Sequence, residues 1–569
     1  MSCMAKRLII ILILLPFFIR VSVSQDISKD NLLKEMVNQY GQARVTIPFT
    51  GVKAVNDLSQ SVSISSVKDK TIEIVLSPLT VDWFIIQKFD YIILENADIK
   101  GIITSSCVKQ AMAWETYPSY DQYDSIMQSF TALYPAICRL DTIGTTNYGK
   151  MVLAVKISDN AGTDEDEPEA FYTSTIHGDE TGGFVLMLRL ADYLLRNYGM
   201  NSRVKNLVDN LEIWINPLAN PDGTYRNGNI ISSPTRDNAE GEDLNRNFPD
   251  PQTPNTIRQK ETLDMMEFMR KHNFVISANF HSGSEVINYP WDSRWQLHAD
   301  NDWFYSISRK YADTVHMHSA EGYMTFMNNG VTNGYAWYSI NGGRQDFVTY
   351  ELHGREVTIE LDDEYITPAS RLNSLWQYNW RSLIGYLENA LWGIHGYISD
   401  LSNGDPVPAR IFIPAHDKDS SHIYSDSLRG SFIRYLSPGS WDMEFSASGY
   451  VNAYMDNVIV TEGNKTEINI IMVPFVNPND TVDTPELILY PNPAKEFLKA
   501  VLPESLFGKV NVKIYNTLGE KLSDYSENAM EDVPLYIDLK NLAGGVYLLV
   551  VSNSDTRATF KKRFVVVRR

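Results

Sequence analysis

The chain has 569 residues, 44% hydrophobic and 21% charged, an ordinary balance for globular domains and more length than one core usually serves. With 70 acidic against 50 basic side chains its net charge is −20 at pH 7, which counts against nucleic acid as a partner because phosphates need a basic face. An acidic protein can still attract small basic substrates.

The chain opens with Lys6 and Arg7, an apolar run through Ile19, and then small and polar residues. This is the layout of a signal peptide over 1–24, its apolar stretch too short to span a bilayer comfortably. No later stretch approaches 18 apolar residues, so the mature protein is expected to carry no transmembrane segment. Cys107 and Cys138 could pair in an oxidising compartment or stand as separate thiols. Residues 25–116 read as a small α+β unit without a catalytic constellation. ISKDNLLKEMVNQY is helix-like, and ARVTIPF and TIEIVLS alternate like strands. Its place between the signal and the longer region that follows suggests a pro-segment.

From 117 to 393, apolar strand-like runs (VLAVKIS, EAFYTSTIH, LEIWINPLA, FVISANFHS, EVTIEL) alternate with helical stretches. The expected fold is α/β: a mixed, mostly parallel sheet with helices on both faces and ligands bound outside the carboxyl ends of its strands. Residues 394–475 carry short alternating runs split by turn residues and read as an all-β sandwich. A polar linker follows at 476–486, and a second β module occupies 487–569.

Within 117–393, HGDE holds His177 and Glu180, three apart and able to share one side of a tight turn. His281 follows in SANFHSG, and together these are the His/His/Glu set a catalytic zinc wants, with one position left open. Glu360 lies on the polar face of EVTIEL, where a strand-end carboxylate is costly without a partner and can serve as general base. A salt-bridged structural glutamate is the alternative. DLNRNFPD supplies Asn245 and Arg246, and Arg236 lies ten residues before Arg246. One guanidinium can grip a terminal carboxylate and a second can stabilise an oxyanion. His316 and His318 form H-x-H without a partner cluster and read as structural.

These blocks, with NPLANPDG, NYPWD and TNGYAWYSINGGRQDF between them, resemble the zinc carboxypeptidase family, M14, and most closely its regulatory subgroup of carboxypeptidases N, E and D. The resemblance covers 117–393 almost end to end. It implies one zinc ion per chain on His177, Glu180 and His281, Glu360 as general base and acid, and Arg236 as oxyanion clamp. It implies Asn245 and Arg246 as holders of the substrate's terminal carboxylate, and Tyr338 as a mobile tyrosine closing over substrate. It also implies that Asp292 and Gln345 belong to the first side-chain pocket, where a buried aspartate would favour C-terminal Lys or Arg. Two departures stand out: Asp179 replaces an Asn or Arg, and Ser293-Arg294 replaces further acids. Residues 394–475 are similar to the transthyretin-like module of that subgroup. Residues 487–569, with YPNPA and LAGGVYLLVV, are similar to type IX sorting modules of Gram-negative bacteria. That likeness implies contact with export machinery, passage through the periplasm, and secretion or retention at the outer surface. The expected partners are otherwise peptide and protein C-termini. A cell-wall peptide amidase and a non-catalytic peptide-binding protein are the competing readings.

Overall fold

In the computed structural model, residues 28–95, 101–251, 257–475 and 487–568 are described, apart from 69, 518, 531–532, 554 and 557. The signal and linker calls at 1–24 and 476–486 lie outside the described residues.

The N-terminal unit is a four-stranded sheet in the order β2-β3-β1-β4. Its strands are Ala43–Pro48 (β1), Ser63–Lys68 (β2), Thr71–Leu76 (β3) and Ile92–Ile93 (β4). Three helices accompany it, the first at Lys29–Tyr40, where the Ser28 side chain caps Asn31 N and Gly41 ends the helix at φ 80°. Leu33, Val45, Ile64, Ile74 and Phe84 form a core of its own, and Tyr338 and Ile340 pack against that core from elsewhere in the chain.

The next unit is built on an eight-stranded sheet in the order β11-β10-β12-β9-β7-β8-β6-β5. The strands are Cys138–Thr145 (β5), Met151–Ile157 (β6), Glu169–Ser174 (β7), Glu212–Asn216 (β8), Phe274–His281 (β9), Ser284–Tyr289 (β10), Val331–Asn333 (β11) and Arg355–Asp362 (β12). The central run β12-β9-β7-β8 is parallel, β5 and β6 pair antiparallel, and β10 pairs antiparallel with β12 but parallel with β11. Every residue of β7 is buried, as a strand covered on both faces must be. Ala170 and Tyr172 enter one core and Phe171 the other. The first core takes Tyr123 and Phe130, Leu186 and Leu190, Phe304 and Ile307, and Leu383 from four helices; the second takes Met265, Phe268 and Phe347.

Residues from the stretch before 117 also contribute to the first core. Ile102, Ala111 and Trp114 pack there, and Ser105 N and Tyr117 N pair with Tyr117 O and Ile103 O. The segment 101–116 escaped sequence reading because its apolar residues follow neither helical nor strand periodicity.

Two four-stranded sheets then share a core of Ile394, Ile398, Ile411, Phe432 and Phe445, forming a sandwich. Buried Asp300, at the start of the helix Asn301–His316, ties it to the catalytic unit. It accepts from Arg355 Nε (2.9 Å), Arg434 Nη1 (2.7 Å) and His416 Nε2 (2.8 Å), and Arg434 also reaches Asp417 (2.6 Å). A three- and a four-stranded sheet close the last module around Leu498, Val512, Leu549 and Phe564. Cys107 is exposed, Cys138 is buried, and the two are not bonded to each other. No helix of the described residues is long and apolar enough to cross a membrane.

Candidate metal centre

Three elements deliver the donor set. After β7 the chain turns through Thr175 at φ 60°, a strained value for a β-branched residue, held by Thr175 Oγ1 donating to Glu180 O (3.1 Å). Gly178 packs so tightly that a Cβ there would lie 2.4 Å from the carbonyl carbon of Gly223. His177 and Glu180 emerge from this turn just before the helix Gly182–Asn197. His281 ends β9, and the parallel register sets Glu360 of β12 directly beside it. Strand pairing therefore puts ligand and base candidate on one face.

The three side chains converge. Glu180 Oε1 is 2.8 Å from His177 Nδ1, Glu180 Oε2 is 2.7 Å from His281 Nδ1, and the two Nδ1 atoms are 3.1 Å apart. All three residues are buried. The outer ring nitrogens are also engaged: His177 Nε2 meets Asp243 Oδ1 at 3.0 Å, and His281 Nε2 meets the amide of Asn279 at 2.9 Å. Because Asp243 can only accept, it places the proton of a neutral His177 on Nε2 and aims the Nδ1 lone pair into the cluster. Two imidazoles and a carboxylate around one point, oriented from behind by a second carboxylate, fit zinc.

Electrostatics agree. Burial, the largest influence, opposes charge on Glu180, yet His177 and His281 hold its carboxyl well below the usual range. Burial and Arg236 act to lower His177, but Glu180 and Asp243 overcome them and the imidazole is raised. Burial lowers His281 despite Glu180. Glu360 Oε2 is buried without a partner, and burial followed by the charge of Glu180 pushes its carboxyl well above the ordinary value. A dication on the three donors would oppose that rise.

Arg236 lies against the cluster, its Nη1 3.1 Å from Glu180 Oε1 and its Nε 3.0 Å from Asp243 Oδ2. Asn245 Oδ1 accepts from Arg344 N (2.9 Å), and Arg246 Nη2 donates to Ile64 O (3.4 Å). Tyr338 Oη donates to the same Ile64 carbonyl (3.3 Å), and burial pushes that phenol up to about 12. Asp292 is 3% exposed and accepts from Gln345 Nε2 (3.0 Å), so the two expected pocket residues touch. Burial, then Asp346, holds the Asp292 carboxyl well above the usual range. Gly334 packs against this carboxylate, since a Cβ there would fall 1.7 Å from Asp292 Oδ1.

The N-terminal unit lies over these residues. Ile64 O takes the Arg246 and Tyr338 donors, Ser63 Oγ donates to Asp243 Oδ2 (2.7 Å), and Lys68 Nζ donates to Gly283 O (3.0 Å). Arg44 Nη2 meets Asp179 Oδ2 at 2.6 Å, and Gln42 joins both Asp179 Oδ2 (3.1 Å) and Arg236 N (2.7 Å). A cavity of about 660 Å³ lies elsewhere, between catalytic unit and sandwich beside His395 and Tyr397, and none of the expected site residues borders it.

Every expected site residue thus gathers at one place, whereas His316 Nε2 donates to Met324 O (2.8 Å) and is not among the clustered donors. Two contributors escaped the sequence. Asp243 touches His177, Arg236, Ser63 and the Asn245 amide, and Asp346 accepts from Asp292 N and Ser293 N. Both sit inside motif blocks, but only their contacts assign them a task.

Comparison with known proteins follows the same lines. Residues 123–382 match the family model described as zinc carboxypeptidase, and 488–567 match a secretion system C-terminal sorting domain. The chain is 32% identical over 370 residues to human carboxypeptidase D, covering 62% of this chain and 26% of that protein. It is 33% identical over 349 residues to carboxypeptidase SOL1 of Arabidopsis thaliana, covering 59% and 68%. It is 30% identical over 360 residues to mouse carboxypeptidase M, covering 60% and 81%. The chain therefore spans about a quarter of the length of the carboxypeptidase D relatives and most of the other two.

Proposed function

Because the chain belongs to the zinc carboxypeptidase family, we propose that it is a secreted zinc metallocarboxypeptidase that hydrolyses the C-terminal peptide bond of peptides and proteins and releases Lys or Arg. The observation that carries this reading is the buried His177–Glu180–His281 set with Glu360 beside it in strand register. His177, Glu180 and His281 would hold one zinc ion, which would supply Lewis acidity toward the scissile carbonyl and the attacking water. Glu360, with an unpartnered buried oxygen beside the donor set, takes the water's proton and returns it to the leaving amine. Arg236 stabilises the developing oxyanion, and Asn245 and Arg246 hold the terminal carboxylate. Tyr338 closes over the substrate, as the resemblance implies. Asp292, buried with Gln345 against it, pairs with the cationic side chain that enters the pocket.

Peptide cannot reach these groups while Ile64 O occupies the Arg246 and Tyr338 donors. The N-terminal unit therefore acts as a pro-segment that covers the cleft until it is detached. The match of 488–567 to a sorting domain supports export, by way of the periplasm, to the medium or the outer surface of a Gram-negative cell. Residues 394–475 support the catalytic unit as a transthyretin-like sandwich.

The test is hydrolysis of matched peptides ending in Lys, Arg, Leu, Phe or Glu, after cleavage between the N-terminal unit and residue 101. Glu360→Gln and chelated protein serve as controls. Release of Lys and Arg alone, lost in both controls by about 10²-fold or more, is the expected result. Release of apolar ends removes the pocket assignment, and no release with zinc bound removes the activity.

A further inference from the structure

The loop that joins β6 to β7 reads SDNAGTDEDEP over residues 158–168 and carries five acids with no basic residue among them. One oxygen each from Asp159, Glu165 and Glu167 lies within 4.8 Å of the others, and the Asp159 and Glu165 side chains stand close enough to hydrogen-bond to each other. Glu212 reaches the same loop from β8 and is 1% exposed. Its Oε1 accepts from Glu165 N (2.8 Å) and pairs with Lys156 Nζ (2.6 Å), whereas its Oε2 is buried without a partner. Glu165 Oε2 and Glu167 Oε2 are buried without partners as well.

Charge is out of balance here. Lys156 neutralises Glu212, Arg429 Nη2 neutralises Asp164 (2.8 Å) and His272 Nδ1 meets Glu169 (2.6 Å). Asp159, Glu165 and Glu167 enter no ion pair among the described residues. Burial, followed by Asp159, Glu165 and Glu212, pushes the Glu167 carboxyl up to about 7, and burial followed by Glu165 raises Asp159. Carboxylates that raise one another's proton affinity repel, and their buried oxygens have given up water without gaining a donor. A single cation between them removes both costs.

We propose that this loop and Glu212 form a calcium site, in which Asp159, Glu165, Glu167 and Glu212 supply the carboxylate oxygens. The donors are all oxygen, with no imidazole or thiol among the four, which suits a hard ion that takes ~6–8 oxygen ligands and does not suit a second zinc. Magnesium, which keeps several waters and binds through one or two carboxylates, fits four carboxylates less well. The site is separate from the His177–Glu180–His281 set. From Glu169 to Ser174 β7 makes five steps of ~3.3 Å, so the loop stands about 17 Å from the strand end that delivers those ligands. It also touches the sandwich, where Tyr397 Oη donates to Asp166 and Arg429 holds Asp164. Calcium bound to the loop therefore stabilises both the root of β7 and the seam between the two units.

The experiment takes the full chain stripped of metal, supplies one equivalent of zinc, and titrates calcium by calorimetry and by thermal melting. One calcium per chain is expected, with a dissociation constant of about 10⁻⁶–10⁻³ M and a rise in melting temperature, and magnesium should bind at least about tenfold more weakly. Glu165→Gln with Glu167→Gln should weaken calcium at least about tenfold and raise the calcium-free melting temperature, since two repelling charges are gone. Asp159→Asn, which alters only an exposed side chain, is the second variant and should weaken calcium in the same direction. No binding heat and no melting shift at ~5 mM calcium, or a calcium response that both variants leave intact, would overturn the site.

Discussion

Removing the Arg44 guanidinium should loosen the cover over the cleft by a measurable factor. The pair with Asp179 is 2.6 Å long, with side chains 5% and 2% exposed, so solvent screens it little. Truncating one partner of a buried pair costs ~3–5 kcal/mol, because the remaining charge is left without its counter-ion. Gln42 stays on Asp179 Oδ2, which argues for the low end. A loss of ~3 kcal/mol corresponds to about 150-fold in affinity. In the cut full chain the N-terminal unit becomes a non-covalent inhibitor, and its inhibition constant against a Lys-ended peptide is read by dilution. Arg44→Ala should raise that constant about 150-fold. A rise under about tenfold, with zinc content and the melting temperature of the N-terminal unit unchanged, would refute the view that this pair holds the cover down.

Three further outcomes follow from the same contacts. Asp292 must be ionised to attract a cationic side chain, and its raised proton affinity means that charge is lost at higher pH than for an ordinary aspartate. The ratio of kcat/KM for Arg-ended over Leu-ended peptides, in which titration of the shared metal donors cancels, should therefore fall as pH drops from about 8 to 5; a flat ratio would remove Asp292 from specificity. Replacing Asp243 by Ala should weaken zinc about 10–100-fold in chelator competition, since His177 loses the partner that fixes its ring, and unchanged affinity would show the contact to be incidental. Deleting residues 487–569 should leave the protein inside the exporting cell while its melting and hydrolysis persist, whereas normal export would exclude a sorting role.

The donor set was legible because short-range spacing fixes it: His177 and Glu180 share one turn, and Glu360 declares its face through the alternation of Val357, Ile359 and Leu361. That His281 lies beside Glu360 could be expected only as convergence at strand ends, since pairing between β9 and β12 is a tertiary fact. Tyr338 and Gln345 carried no signal as isolated residues and were placed through motif resemblance alone. Asp243 and Asp346 were passed over because an acid that orients another side chain looks, in sequence, like any loop acid. That Ile102 and Trp114 pack on the core of the following unit is not legible in sequence, because long-range packing rather than a periodic local pattern buries them. Arg44 read as one charge in an alternating strand; its meaning comes from Asp179, 135 residues away.

The buried knot at Asp300 decides how the molecule comes apart. Asp300 and Arg355 belong to the catalytic unit, whereas Arg434, Asp417 and His416 belong to the sandwich, and Trp303 stacks on Tyr435 across the same seam at 5.0 Å. Separating the halves would leave Arg355 with Asp300 and Arg434 with Asp417, but would strip Asp300 of the Arg434 and His416 bonds that cross the seam. Residues 101–475 should accordingly unfold in a single cooperative transition, with hydrogen exchange at the seam as slow as in the sheet centre, while 28–95 and 487–568, each with a core of its own, melt separately. The catalytic unit is then inherited and synthesised usefully only with its sandwich attached, and the modules on either side are the pieces that can be exchanged.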